Sequence, residues 1–317
     1  MSSSMGHHGT FEVPKSAQTQ NKPGLESKMA SSSESTKLEH EGSFIEYAGS
    51  NKLKDKKVLI TGGDSGIGRS IAVLMAREGA DISIIYLPKE EGDAEATKKI
   101  IENEGRQCLL LPGDLRDRDF CHSSVEEHVK RWVSIILFSN AVKWPEIFRR
   151  RFGKLNVLVN NASKQYITQE FPGIDLDRTE DIFKCNIIQM IAMAKFALVH
   201  MSRGDSIINT SSVVTFRGSG TMVDYSATKG AIVGFTKSLA KYLIPKGIRV
   251  NAVAPGAIYT PIQSDTRDAR QMEGWGRGAG LGRPGEPSEV ATSFVFLASA
   301  DASLYYGQVL HCYPLGD

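Results

Sequence analysis

Val58-Leu59-Ile60-Thr61-Gly62-Gly63-Asp64-Ser65-Gly66-Ile67-Gly68-Arg69 joins a short aliphatic run to a glycine-rich turn, and residues at helical spacing follow, Ile71-Leu74-Met75. A strand, such a turn and a helix bring free backbone N–H groups and the positive end of a helix dipole to one point, which makes a receptor for a pyrophosphate. Glycine suits the turn because a side chain would hold the phosphates off the backbone. Taken alone, the spacing also fits an ordinary tight turn.

Outward from this stretch the same rhythm repeats. Short runs without alternation recur at Ile82–Tyr86, Cys108–Leu111, Val157–Val159, Ile207–Asn209, Val250–Val253 and Val309–His311, separated by helical spacings such as Ile232-Phe235-Leu239. Such runs read as strands buried on both faces. Alternating with helices, they predict an α/β fold: a single Rossmann-like doubly wound domain whose seven-stranded parallel sheet is flanked by helices. Lys+Arg number 38 and Asp+Glu 36, a balance of +2 that offers no footprint for nucleic acid or an acidic membrane surface. Cys108, Cys121, Cys185 and Cys312 show no metal-ligand or disulfide spacing, so no metal site is expected and a reducing, cytoplasmic compartment is. The strongest apolar run, around Trp132–Phe138, falls short of the roughly 18 residues of a membrane helix.

A second constellation is Tyr225-Ser226-Ala227-Thr228-Lys229. On a helix, residues four apart share a face, so the phenol and the ammonium point the same way. A nearby cation favours the phenolate and is expected to pull this tyrosine below its usual value of about 10. Chance placement on a surface helix gives the same spacing. Asn160-Asn161-Ala162, Ile208-Asn209-Thr210-Ser211-Ser212 and Asn251-Ala252-Val253-Ala254-Pro255-Gly256 end the fourth, fifth and sixth runs. Those ends lie at the carboxyl edge where such sheets bind ligands.

With these motifs in this order, residues 50–317 resemble the short-chain dehydrogenase/reductase family. Gly63–Arg69, Tyr86-Leu87-Pro88, Gly307–His311 and the leader Lys22–Met29 are similar to its glucose/ribitol-dehydrogenase-like, general-stress branch. The resemblance implies that Tyr225 exchanges a proton with an alcohol or carbonyl oxygen, and that Lys229 depresses its pKa and holds the nicotinamide ribose. Ser212 would polarise the carbonyl. Asn186 would position a relay water, with a buried structural amide as its other reading. For the cofactor, the resemblance implies Gly62, Asp64, Ser65, Gly66, Ile67 and Gly68 around the pyrophosphate, and Asp114 and Leu115 beside the adenine. Asn161 and Ala162 would follow the ribose, and Pro255, Gly256, Ile258 and Thr260 the nicotinamide. The second run ends without a carboxylate, and Lys89 follows it, which favours NADP. Glu90 and Glu91 come next, so NAD stays open.

The expected activity is carbonyl–alcohol interconversion on a small molecule, either a polar sugar or polyol or a biosynthetic ketone. The alternative is a dinucleotide-binding stress or regulatory protein with vestigial catalysis. Ser226, Gly230, Gly234 and Ser238 form a small-residue stripe on the Tyr225 helix, and the family pairs this helix across subunits, so a homodimer or homotetramer is expected. Residues 1–50, polar and without period, read as a flexible arm preceding a catalytic domain over 51–317. Their acids and lack of any Arg before Arg69 do not suit a transit peptide. Residues 132–149 interrupt the family pattern and read as an insertion at the amino ends of the strands, dispensable for chemistry.

Overall fold

A computed structural model describes residues 10–132 and 154–314. All seven runs are strands: β3 (Lys57–Thr61), β4 (Asp81–Tyr86), β5 (Cys108–Pro112), β6 (Val157–Asn160), β7 (Ser206–Thr210), β8 (Arg249–Pro255) and β9 (Val309–Cys312). They pair in parallel in the order β5-β4-β3-β6-β7-β8-β9. The order reverses between β3 and β6, and their register sets Thr61 beside Asn160. The chain leaves both strands at that point in opposite directions, opening a crevice above the carboxyl ends.

The longer helices among the described residues are α1 (Gly66–Arg77), α2 (Glu91–Asn103), α3 (Arg118–Arg131), α4 (Leu176–His200), α5 (Val223–Leu243) and α6 (Pro287–Ala298). Alternation along the strands divides the core. Val58 and Ile60 pack with Ile71 and Leu74 of α1 and Phe294 of α6, whereas Leu59 packs with Val125 of α3, Met193 of α4 and Leu243 of α5. Each such side chain contributes about 1.5–3 kcal/mol of burial. Helix α4 is long and apolar enough to cross a membrane by length and composition, with half of its most apolar window buried in this fold. Lys184 and Lys195 interrupt the stretch, so it does not read as an unbroken apolar run in the sequence.

Two expectations are corrected. Residues 10–50 are packed, not a solvated arm. Strands β1 (Lys37–His40) and β2 (Ser43–Glu46) form an antiparallel hairpin. Phe11 is buried and sits 4.9 Å from the Phe44 ring. Ser288 N donates to Glu34 O at 3.1 Å, and Ser288 Oγ to Lys37 O at 2.7 Å. The Tyr47 hydroxyl donates to Glu78, which also accepts Ser50 N and Lys52 N at 2.9 Å each. Composition misled because it measures apolar area, whereas this segment is held by polar side chains that satisfy buried backbone donors.

The second correction concerns Trp132, placed above at the start of the insertion. It is the C-cap of α3, buried, and its indole donates to Ser83 Oγ at 3.1 Å. Ser83 Oγ also lies 2.8 Å from His128 Nδ1. Its lone pair receives the indole, so its hydroxyl proton is free for a neutral imidazole. The remainder of the 132–149 reading lies outside the described residues.

Two outcomes follow. Deleting residues 133–151 should leave the melting profile near that of the full chain, whereas a deletion that also removes Trp132 should destabilise by about 3–5 kcal/mol, the scale of losing a buried indole. Equal stability of the two deletions in urea titrations would refute the core role of Trp132. Burial holds His128 down at about 3, below its unfolded value near 6.5, so the unfolded chain binds the proton first. Stability from this site is complete above pH 6.5 and is lost as pH falls toward 3. Relative to a His128→Gln variant, the wild type should lose about 2 kcal/mol between pH 6.5 and 5.

Candidate active site

Thr61 organises the crevice floor. Its hydroxyl oxygen accepts Asn161 N at 2.9 Å and Ala162 N at 3.0 Å, binding the end of β6 to the end of β3. Asn161 Nδ2 donates to Gly62 O at 3.0 Å, fixing the entry to the turn. The turn needs its glycines for two reasons. Gly62 and Gly66 adopt φ of +62° and +48°, in the left-handed region. A Cβ on Gly68 would lie 1.8 Å from Gly62 O, so only glycine lets α1 start this close to β3.

Above the turn lies a cavity of about 590 Å³, within the range of ligand pockets. Gly62, Asp64, Ser65, Gly66, Ile67, Asp114, Leu115, Asn161, Ala162, Ser212, Tyr225, Lys229, Pro255, Gly256, Ile258 and Thr260 all line it. Gly68 lies beneath the turn, and Asn186 stands behind the wall. The cavity's volume, the glycine turn at the start of α1 and the β-strand end on each side fit a dinucleotide.

Tyr225 and Lys229 share the inner face of α5, both buried, with the Lys229 Nζ 5.3 Å from the Tyr225 ring centre. The ammonium donates to Thr210 O at 2.9 Å, so the end of β7 aims it. Ser212 and Ser163 face the Tyr225 oxygen and favour its ionised form. Burial outweighs them and pushes the phenol up to about 12, while burial brings Lys229 down to about 7. The depressed phenol expected from the spacing is therefore not what this arrangement produces. A shared helical face brings the cation near, but the same face buries both groups, and desolvation opposes both charges.

Asn186 sits in a π-helical turn of α4, Lys184–Ile188. Its Oδ1 accepts Lys164 N at 2.8 Å, and its Nδ2 donates to Lys164 O at 2.8 Å and Thr228 Oγ1 at 3.1 Å. Both amide protons are committed. The side chain thus holds the Lys164 loop against α5, which is the structural reading of this amide.

At the far end of the cavity, Asp114 is paired with Arg116, whose guanidinium also reaches Asp181 at 2.5 Å. Burial pushes buried Asp64 up to about 6, and burial beside the Asp64 carboxylate pushes Glu90 up to about 8. Glu90 and Lys89 both line this end. Glu90, the acid that kept NAD open in the sequence, reaches this end through a 3₁₀ turn over Pro88–Glu90. Lys22, Pro23 and Gly24 of the amino-terminal segment line the cavity too. Only the likeness of Lys22–Met29 to a family leader pointed at them, without a role.

Comparison with known proteins agrees with this fold. The family model described as short chain dehydrogenase matches residues 56–144, and that described as Enoyl-(Acyl carrier protein) reductase matches 140–312. General stress protein 39 of Bacillus subtilis is 42% identical over 301 residues, covering 95% of each chain. Glucose and ribitol dehydrogenase of Daucus carota is 40% identical over 270 residues, covering 84% of this chain and 86% of its own. The crystal structure of a short chain dehydrogenase from Burkholderia cenocepacia in complex with NADP superposes with a TM-score of 0.69 at 28% identity, covering 82% of this chain and 97% of its own. With a seven-stranded parallel sheet, a glycine turn at its switch point and relatives of this similarity, the chain belongs to the short-chain dehydrogenase/reductase family, in its glucose/ribitol-dehydrogenase-like, general-stress branch, and is an oxidoreductase.

Proposed function

We propose that the protein interconverts a carbonyl and an alcohol on a sugar- or polyol-like molecule, with NADP as cofactor and Tyr225 as general acid/base. The observation that carries this reading is the meeting of Ser212, Tyr225 and Lys229 at one wall of a cavity whose floor is the glycine turn. That set is complete, which favours chemistry over a vestigial site.

When bound, the nicotinamide supplies or accepts the hydride. The turn Gly62–Gly68 would hold the pyrophosphate, Asn161 and Ala162 the ribose, and Ile258 and Thr260 the nicotinamide side. Tyr225, kept protonated by burial, is set to give its proton to a carbonyl oxygen as negative charge develops there. Ser212 faces the same oxygen position and donates a hydrogen bond that strengthens with that charge. Lys229, aimed by Thr210 O, has further N–H donors for a ribose hydroxyl and adds positive potential as the tyrosinate forms. Gln165, Lys164 and Gln263 offer polar groups on the opposite wall, and the Daucus carota relative named for glucose and ribitol supports a hydroxyl-rich substrate. The open flank of α5 supports a homodimer or homotetramer: nothing lies within 4 Å of a Cβ placed on Gly230 or Gly234.

Lys89 at the adenosine end and the NADP complex of the Burkholderia relative support NADP. Asp64 and Glu90 at the same end favour a bare ribose diol and make NAD the second reading.

Tyr225→Phe should bind NADPH normally and lower kcat by about 10² or more in assays against a panel of sugars, polyols and ketones, the scale of general acid–base catalysis. Near-normal turnover would remove Tyr225 from the chemistry. In the wild type, kcat/KM should favour NADPH over NADH by about tenfold, equivalent to ~1.4 kcal/mol. A tenfold preference for NADH would assign the adenosine end to Asp64 and Glu90 instead of Lys89.

A further inference from the structure

Two walls of the cavity, the glycine turn and the segment 260–267, meet at a tight contact: a Cβ on Gly66 would lie 2.9 Å from the Thr260 side chain. Neither wall is held only by its own neighbours. Helix α1 begins without a side-chain cap from Ser65. Its Gly66 N instead donates at 3.0 Å to the carboxylate of Glu26, a residue from the amino-terminal segment. Glu26 is buried, and its other oxygen accepts Ser33 N at 2.9 Å and Ser33 Oγ at 2.8 Å. Asp93 at the start of α2 in turn accepts Glu26 N at 2.7 Å and Ser27 N at 3.1 Å.

The other wall is tied by the same segment. Lys22 Nζ donates to Asp265 Oδ1 at 2.6 Å and to Thr266 Oγ1 at 3.0 Å. Gly24 N donates to Asp265 Oδ2 at 3.0 Å, and Gln20 N to Ser264 O at 2.9 Å. Gly24 approaches so closely that a Cβ there would lie 2.4 Å from Pro261 O. The Lys22–Asp265 pair is mostly shielded, with side-chain exposures of 23% and 8%. Losing the ammonium would leave a shielded carboxylate without its cation.

We propose that Lys22–Glu26 is part of the cofactor site, with Glu26 and Lys22 acting as positioning residues. Glu26 presets the Gly66 N–H and with it the glycine turn, and Lys22 works through Asp265 to hold the facing segment 260–267. The segment joins the two walls before the cofactor arrives, so less ordering is left to binding. Glu26 takes a single turn N–H from the arm side, and its carboxylate complements the positive end of α1. This inference rests on the dinucleotide reading of the cavity.

The test uses the full-length protein with Lys22→Met, Lys22→Arg and Glu26→Gln. NADPH affinity is measured by fluorescence titration, KM and kcat by turnover, and backbone opening at residues 260–267 by hydrogen exchange. Lys22→Met and Glu26→Gln should each weaken NADPH binding and raise its KM by about tenfold, with kcat at saturation changed less than about twofold, because uniform binding is what they support. Lys22→Arg should recover most of the affinity, and Lys22→Met should speed exchange at 260–267. Unchanged affinity in both Lys22→Met and Glu26→Gln would overturn the proposal while leaving the dinucleotide reading standing. So would a lowered melting temperature with NADPH KM unmoved. A wild type that binds neither NADPH nor NADH would overturn the dinucleotide reading, and this inference with it.

Discussion

The parallel pairing of β3 with β6 is the constraint on which the rest depends. It places Thr61 opposite Asn160, and the Thr61 hydroxyl then satisfies two backbone N–H groups of the chain leaving β6. Because one strand exits toward α1 and the other toward the Lys164 loop, their backbones part here, and the gap becomes the cavity. A side chain larger than glycine at position 68 would separate α1 from β3 and widen that gap. The crevice is thus a product of strand order, and its fine geometry comes from one hydroxyl and a few absent side chains.

Electrostatics in the cavity are governed by burial more than by pairing. Tyr225 and Lys229 each lose water on the same helix face, and each is pushed toward its neutral form. The end lined by Asp64 and Glu90 behaves in the same way: loss of water, reinforced by Asp93 for buried Asp64 and by Asp64 for half-buried Glu90, makes both hold their protons more tightly than exposed carboxylates. A protonated Glu90 is a weaker obstacle to a phosphate than a carboxylate is, so the acids at this end do not by themselves exclude a phosphorylated ribose.

Polar side chains perform structural work that apolar packing performs elsewhere. Asn186 spends its whole amide on holding one loop to α5. Glu78 gathers Tyr47, Ser50 and Lys52 where the amino-terminal segment joins the sheet domain. Glu26 and Asp93 extend the same pattern to the glycine turn. Each is a carboxylate or amide that meets several donors at once, and such groups are costly to leave half-satisfied.

The sequence by itself determined the strands, their parallel character and which residues line the candidate site. Unbroken aliphatic runs can be buried only on both faces, and the glycine turn, Asn160-Asn161-Ala162, Ser212 and Tyr225–Lys229 each follow a strand or share a helix face, which are local relations. The tertiary structure decided what depends on distant segments. Residues 10–50 look solvated because their composition is polar, yet they fold onto the domain through hydrogen bonds to residues far along the chain, such as Glu34 with Ser288. Trp132 looked like the start of foreign sequence, because its partner Ser83 is on another strand. Glu90 was legible as an acid bearing on cofactor choice, but that it lines the cavity depends on the 3₁₀ turn over Pro88–Glu90. The sign of the Tyr225 shift also escaped the sequence, since spacing reports which groups are neighbours, and only the packed fold sets how much water each has lost.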